Sequence, residues 1–125
     1  MRLDPGGSAV VVPVEVHRNR RHRTLDMVLD TGATFVALPV DIAESLGYNP
    51  TQSARRVELI TASAVLSAPL ITVQRMQVLG VGASNVDDLC LDLPGDGRFR
   101  GLLGLSFLKH FDVDLHFRDR VMSIR

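Results

Sequence analysis

The sequence holds a single cysteine, Cys90, so no intrachain disulfide can form and no cysteine-based zinc site can be assembled. Its four histidines, His17, His22, His110 and His116, show neither HExxH spacing nor a companion cysteine, which argues against any metal centre. Net charge is absent as well. Fourteen Lys and Arg balance fourteen Asp and Glu, leaving no general pull toward nucleic acid or an anionic membrane. The longest uncharged run, Leu59 to Gln74, is broken by Pro69 and four hydroxyl residues and is too short to span a bilayer. The first residues lack the basic, apolar and small-residue series of a signal peptide. Compartment stays open between cytoplasm and periplasm, with tethering through an upstream segment as a further alternative.

What is present suits one globular domain over residues 1–125, with 46% hydrophobic and 22% charged residues and enough length for a real core. One local exception to the balanced charge is His17-Arg18-Asn19-Arg20-Arg21-His22-Arg23, with four arginines in seven residues. Such a run can bind phosphate or acidic partners, but it more commonly forms a solvated loop between strands.

Short runs rich in Val, Leu and Ile, separated by turn formers, point to a mostly β domain. Ala9 to Val16 and Thr24 to Leu29 read as a hairpin with a long, wet, Arg-rich tip. Phe35 to Leu38 is a further apolar run, closed by Pro39. Asp41 to Leu46 reads as a short helix, with Gly47 placed to end it and acidic residues near its start. Arg56 to Ile60 and Ala68 to Val73 form a second hairpin around Thr61-Ala62-Ser63-Ala64. Met76 to Leu79 and Val86 to Leu91 continue the strands, and Pro94 to Gly97 is a turn. Leu105 to His110 reads as a short helix. Phe111 to Phe117 alternates as a half-buried strand, and Arg118-Asp119-Arg120 turns it into Val121 to Ile124.

Val28-Leu29-Asp30-Thr31-Gly32-Ala33-Thr34 sets an acid directly after an apolar strand. A rigid strand can hold the carboxylate in place, and Gly32 lets backbone N–H groups approach it. The tripeptide alone also suits an ordinary turn, because Asp caps its own backbone and Gly accepts positive φ. The apolar flank separates this acid from a polar loop. A second segment, Gly101-Leu102-Leu103-Gly104-Leu105-Ser106-Phe107-Leu108, begins 71 residues after Asp30.

Together these segments resemble the retropepsin-like aspartic proteases, the retroviral proteases and their single-domain relatives, and the bacterial members in particular. The match rests on Asp30-Thr31-Gly32-Ala33, on Leu102-Leu103-Gly104 before a helix, and on Ser45-Leu46-Gly47 after the Asp loop. The closing strand, turn and strand of Phe111 to Ile124 extends it, so that it covers about Val12 to Ile124.

The resemblance implies a closed acid-protease β-barrel with a flap hairpin and one or two short helices. It implies an aspartic endopeptidase in which two carboxylates about 3 Å apart share one proton and activate a water. Of eleven Asp only Asp30 is followed by Thr or Ser and then Gly, so one chain supplies one acid and the partner is a second copy in a C2 homodimer. Asp30, Thr31 and Gly32 are the expected catalytic residues. Ala33, Thr34, Thr61, Ala62, Ser63 and Leu103 are expected to contact a peptide or protein substrate, with Val36, Ile60 and Leu66 as further apolar candidates. No cofactor, metal, nucleic acid or membrane is implied for this chain. The expected flap carries no glycine between Gly47 and Gly80, unlike the family's commonly glycine-bearing tips. A non-catalytic dimeric peptide-binding module with the same fold is therefore the alternative, and a domain cut from a larger or tethered protease a third. Asp87-Asp88, Asp92 and Asp96 lack the spacing of a calcium loop.

Overall fold

The computed structural model describes residues 2–3, 9–60, 62–93, 100–119 and 121–125. Strand β1 (Arg2–Leu3) pairs with β2 (Val10–Arg18), which turns into β3 (Arg21–Leu29). After β4 (Val36–Leu38) come helix α1 (Val40–Ser45) and a short 3-10 turn at Pro50–Gln52. Strands β5 (Arg56–Ile60) and β6 (Val65–Val78) form the second hairpin, and β7 (Val81–Cys90) follows. The chain ends through β8 (Gly101–Leu103), helix α2 (Leu105–Leu108), β9 (Val113–His116) and β10 (Val121–Ile124).

Six strands close into a barrel in the order β2-β3-β8-β4-β7-β6. The ring is completed where β6 returns to β2 through Glu15↔Gln77, Val16↔Met76 and His17↔Arg75. Closure removes the open edges that would otherwise invite pairing with other chains. Pro13 sits between the β2 residues that pair β1 and those that pair β6, where a residue without an N–H fits.

Strand periodicity builds the interior. Val10, Val12, Val14 and Val16 alternate inward from β2, opposite Leu25 and Met27 of β3. Phe107 of α2, Leu38, Leu46, Met76 and Leu103 fill the centre and are fully buried. Helix α1 adds Ile42 and Ala43, and Gly47 ends it with φ +98°, the left-handed conformation expected of a residue in that place.

Several expectations need correction. The Arg-rich segment is not a long wet loop. Strands β2 and β3 run on through Arg18 and Arg21, joined by a tight turn at Asn19-Arg20 in which Asn19 takes φ +55°. Asn tolerates that conformation, so the ladder runs on to the turn although its last side chains are Arg and His. The two runs expected around Gln74 are one unbroken strand, β6, because its exposed polar residues lie on the outer face and do not interrupt the ladder. Helix α2 stops at Leu108, since Asp112 and Arg125 exchange backbone hydrogen bonds that draw the chain into β9. The expected turn at Pro94 to Gly97 lies outside the described residues.

Among the described residues, one charged-type side chain lies in the barrel interior. Asp88 on β7 is fully buried, and neither carboxyl oxygen has a hydrogen-bond partner among the described residues. Desolvation first, then the neighbouring Asp87, holds its pKa well above the usual carboxylate range. Burial also pushes the thiol of Cys90 up to about 12, with Asp88 and Glu44 adding to the effect. For Asp88 the neutral form is the one the fold favours. Stability is therefore greatest below the ordinary carboxylate pKa and is lost as pH rises toward the raised value. Asp88→Asn should raise the melting temperature at pH 7.5, by roughly 4 °C for each kcal/mol relieved. The difference from wild type should shrink toward pH 4; an equal difference at both pH values would refute the assignment.

Candidate functional site

Asp30 follows the last residue of β3, and the strand fixes its backbone. Strands β3 and β8 pair in parallel, with Met27↔Gly101, Val28↔Leu102 and Leu29↔Leu103, and the Asp30 N–H donates to the Leu103 carbonyl at 3.1 Å. The acid thus continues the ladder by one residue before the chain turns. In that turn the Gly32 N–H donates to Asp30 Oδ1 at 3.0 Å, and the Ala33 N–H to the Asp30 carbonyl at 3.2 Å. A Cβ at Gly32 would stand 3.3 Å from the same carboxyl oxygen, so glycine gives the carboxylate room. Asp30 itself is half-buried, while Thr31 and Gly32 are exposed.

The remainder of the loop is clamped from behind by the start of α2. Leu105 N–H donates to the Ala33 carbonyl at 2.8 Å, and Ser106 N–H to the Thr34 carbonyl at 2.9 Å. These are the N–H groups that a helix start leaves without internal partners, so loop and helix satisfy each other. The buried Ser106 hydroxyl accepts the Val36 N–H at 2.9 Å, anchoring the loop where it enters β4. Gly104 makes the approach possible. A Cβ there would stand 2.8 Å from the Ala33 carbonyl oxygen and 2.7 Å from the Phe35 carbonyl carbon, with the Phe35 oxygen nearer still.

Beside the loop opens a hollow of about 420 Å³ with mostly apolar walls. Its near side is Gly32, Ala33, Thr34 and Phe35, its floor includes Ala37, Leu89 and Leu102, and its far side is Val57, Glu58 and Leu59 of β5. The β5–β6 hairpin extends past it, paired from Arg56↔Pro69 to Ile60↔Val65. Its end is apolar and open: Ile60 is 84% exposed, Val65 64% and Leu66 52%. Arg55 braces the hairpin base through Asp87 (3.1 Å) and Thr72 (2.7 Å), and Ser53 Oγ donates to the Leu70 carbonyl at 2.6 Å.

Asp30, Thr31, Gly32, Ala33 and Thr34 therefore form one continuous loop, and Ala33 and Thr34 line the hollow. Ala62 and Ser63 lie exposed at the hairpin end, away from the loop's own contacts, and Thr61 lies outside the described residues. Leu103, expected among the substrate contacts, is instead fully buried in the core, as is Val36. Strand alternation turns Leu102 toward the hollow in its place. The clamp by Ser106 and the lining by Leu89 of β7 with Leu91 and Leu93 after it escaped sequence reasoning. The one available signal was a serine enclosed between Leu105 and Phe107 in an otherwise apolar segment.

Residues 14–110 match the model of the family described as "gag-polyprotein putative aspartyl protease". The chain belongs to this family. A solved retropepsin-like aspartic protease from Rickettsia conorii has a similar fold, with a TM-score of 0.72 at 20% identity. That match covers 100% of this chain and 95% of the other. Comparison with curated proteins finds no match. The family is that of an aspartyl protease, and the fold is the one seen in the retropepsin-like enzyme.

Removing the Ser106 hydroxyl leaves the buried Val36 N–H unpaired. Ser106→Ala should thus lower stability by about 1–3 kcal/mol in denaturant unfolding. Gly104→Ala should have at least as large an effect, because backbone rather than a flexible side chain stands in the way. Both should speed amide exchange at Gly32 and Ala33. Unchanged exchange there would show that the loop does not depend on this clamp.

Proposed function

We propose that the chain is one half of an aspartic endopeptidase, a single domain whose active site is completed by a second copy across a twofold axis. The observation that carries this reading is a family member with one half-buried carboxylate, Asp30, on a braced loop beside an apolar hollow. Two such carboxylates meeting on the axis cannot both ionise at close range, so the pair holds one proton. The ionised Asp30 takes a proton from a water, the water attacks the scissile carbonyl, and the protonated Asp30 supplies its proton to the carbonyl oxygen. The two Thr31 side chains brace the loops across the axis, and the Gly32 N–H keeps each carboxylate oriented.

An extended peptide lies between the Asp30 loops and the β5–β6 hairpin, which serves as the flap. The apolar hollow accepts a large apolar side chain, and Ala33, Thr34 and Leu102 touch it. Ala62 and Ser63 at the flap end face the peptide from the other side. The absence of glycine in the flap favours a second reading, a dimeric module that captures peptides without cleaving them.

Three measurements test this. Sedimentation should show a dimer, and mixed peptides assayed from acidic to neutral pH should be cleaved. Asp30→Asn should abolish cleavage while leaving dimer and fold intact; cleavage surviving Asp30→Asn would sink the proposal. Peptide capture by wild type with no cleavage would favour the binding module. Ala37→Val, narrowing the hollow, should lower kcat/KM about tenfold or more for peptides with a large apolar residue, and less for small ones. Equal losses for both peptide classes would mean the hollow does not receive a side chain.

A further inference from the structure

The β2–β3 turn stands at the opposite end of β3 from Asp30, nine strand residues away and hence roughly 25–30 Å distant. It concentrates positive charge in an arrangement that β-sheets generally avoid. Arg18 and Arg21 are direct cross-strand partners, and like charges in that position repel. Alternation points both toward the barrel side of the ladder, beyond the end of the valine core. There they converge: a Cβ at Gly47 would stand 2.8 Å from one terminal guanidinium nitrogen of Arg18 and 3.7 Å from one of Arg21. Arg20 joins them in lining an open hollow of about 370 Å³, and Arg23 follows one ladder position behind on the same side.

The chain has fourteen acidic residues, yet among the described residues no carboxylate pairs with Arg18, Arg20, Arg21 or Arg23. The carbonyl end of α1 lies beneath them, but a six-residue helix offsets only part of this charge. The arrangement is also held in place. The Asn19 N–H donates to Gln74 Oε1 at 2.6 Å, and Gln74 Nε2 donates back to Asn19 Oδ1 at 3.3 Å. Arg18 stacks over the Tyr48 ring at 5.5 Å, while the Tyr48 hydroxyl donates to the His17 carbonyl and accepts the Gln74 N–H. Gly47 leaves the space that Arg18 fills.

We propose that this tip is an anion site for a compact polyphosphate-type oxyanion, held by the forked donors of Arg18, Arg20 and Arg21. Charge matching selects the class. Converging guanidiniums call for a polyvalent anion, whereas a single carboxylate would leave most of the charge uncompensated. Guanidinium forks bind tetrahedral phosphate oxygens with paired hydrogen bonds. The patch is a single compact tip, and this favours a small ligand over the long phosphate track of a nucleic acid. The site is independent of Asp30, so its ligand does not compete with a peptide.

Calorimetric titration of the full chain with inorganic tripolyphosphate in low salt tests the proposal. One binding event per chain is expected, weakened at least tenfold by Arg21→Gln and by Arg20→Gln, each confirmed folded by its melting curve. Arg125→Ala and Asp30→Asn should bind as wild type does. Arg21→Lys, which keeps charge and loses the fork, should fall between wild type and Arg21→Gln. No binding, or binding that Arg125→Ala reduces as much as Arg21→Gln, would overturn the site. Flotation with phosphatidylserine vesicles through the same arginines, without binding of soluble tripolyphosphate, would overturn it in favour of membrane contact.

Discussion

The approach of Gly104 to the carbonyls of Ala33 and Phe35 governs where segment 30–35 can lie. Because no side chain stands between them, α2 begins directly against the loop and its first N–H groups bind loop carbonyls. Just before Gly104, Leu103 holds the backbone of Asp30 through the parallel β3–β8 ladder. Just after it, Ser106 holds the entry to β4. One short stretch thus grips both ends of the loop, and Phe107 roots that stretch in the core. In the proposed pairing of two chains this rigidity would matter doubly, since an error in one chain is repeated across the axis.

The barrel has two dissimilar ends. At one, β5 and β6 project with Ile60, Val65 and Leu66 open to solvent beside the Asp30 loop. At the other, β2 and β3 project with their arginines over Gly47. Strand β6 belongs to both regions, forming one side of the apolar hairpin and then closing the ring against β2. The Arg-rich turn also leans on it through Gln74. A balanced total charge conceals this division, because composition sums over surfaces that never meet.

Much of this was legible in the sequence because it depends on local pattern. Alternating valines announce β2, Gly47 announces the end of α1, and an acid after an apolar strand announces the Asp30 loop. What escaped depends on pairing partners that no local window contains. The tight turn at Asn19-Arg20 required a left-handed Asn that its charged neighbours disguised. The choice between Leu102 and Leu103 turned on strand phase, where a one-residue shift reverses the face. Asp88 falls with Asp87 inside the expected strand Val86 to Leu91, but only the ladder with Val36 and Ile71 shows that it faces inward. Ser106 gained its role only when a segment 70 residues away came against it.

Cys90 is enclosed in the barrel wall, where burial pushes its thiol pKa up to about 12. Thiolate is the form that exchanges with disulfides and reacts with oxidants, so this sulfur is chemically silent under ordinary conditions. With no second cysteine to meet, the fold has the same covalent structure in reducing and in oxidising surroundings.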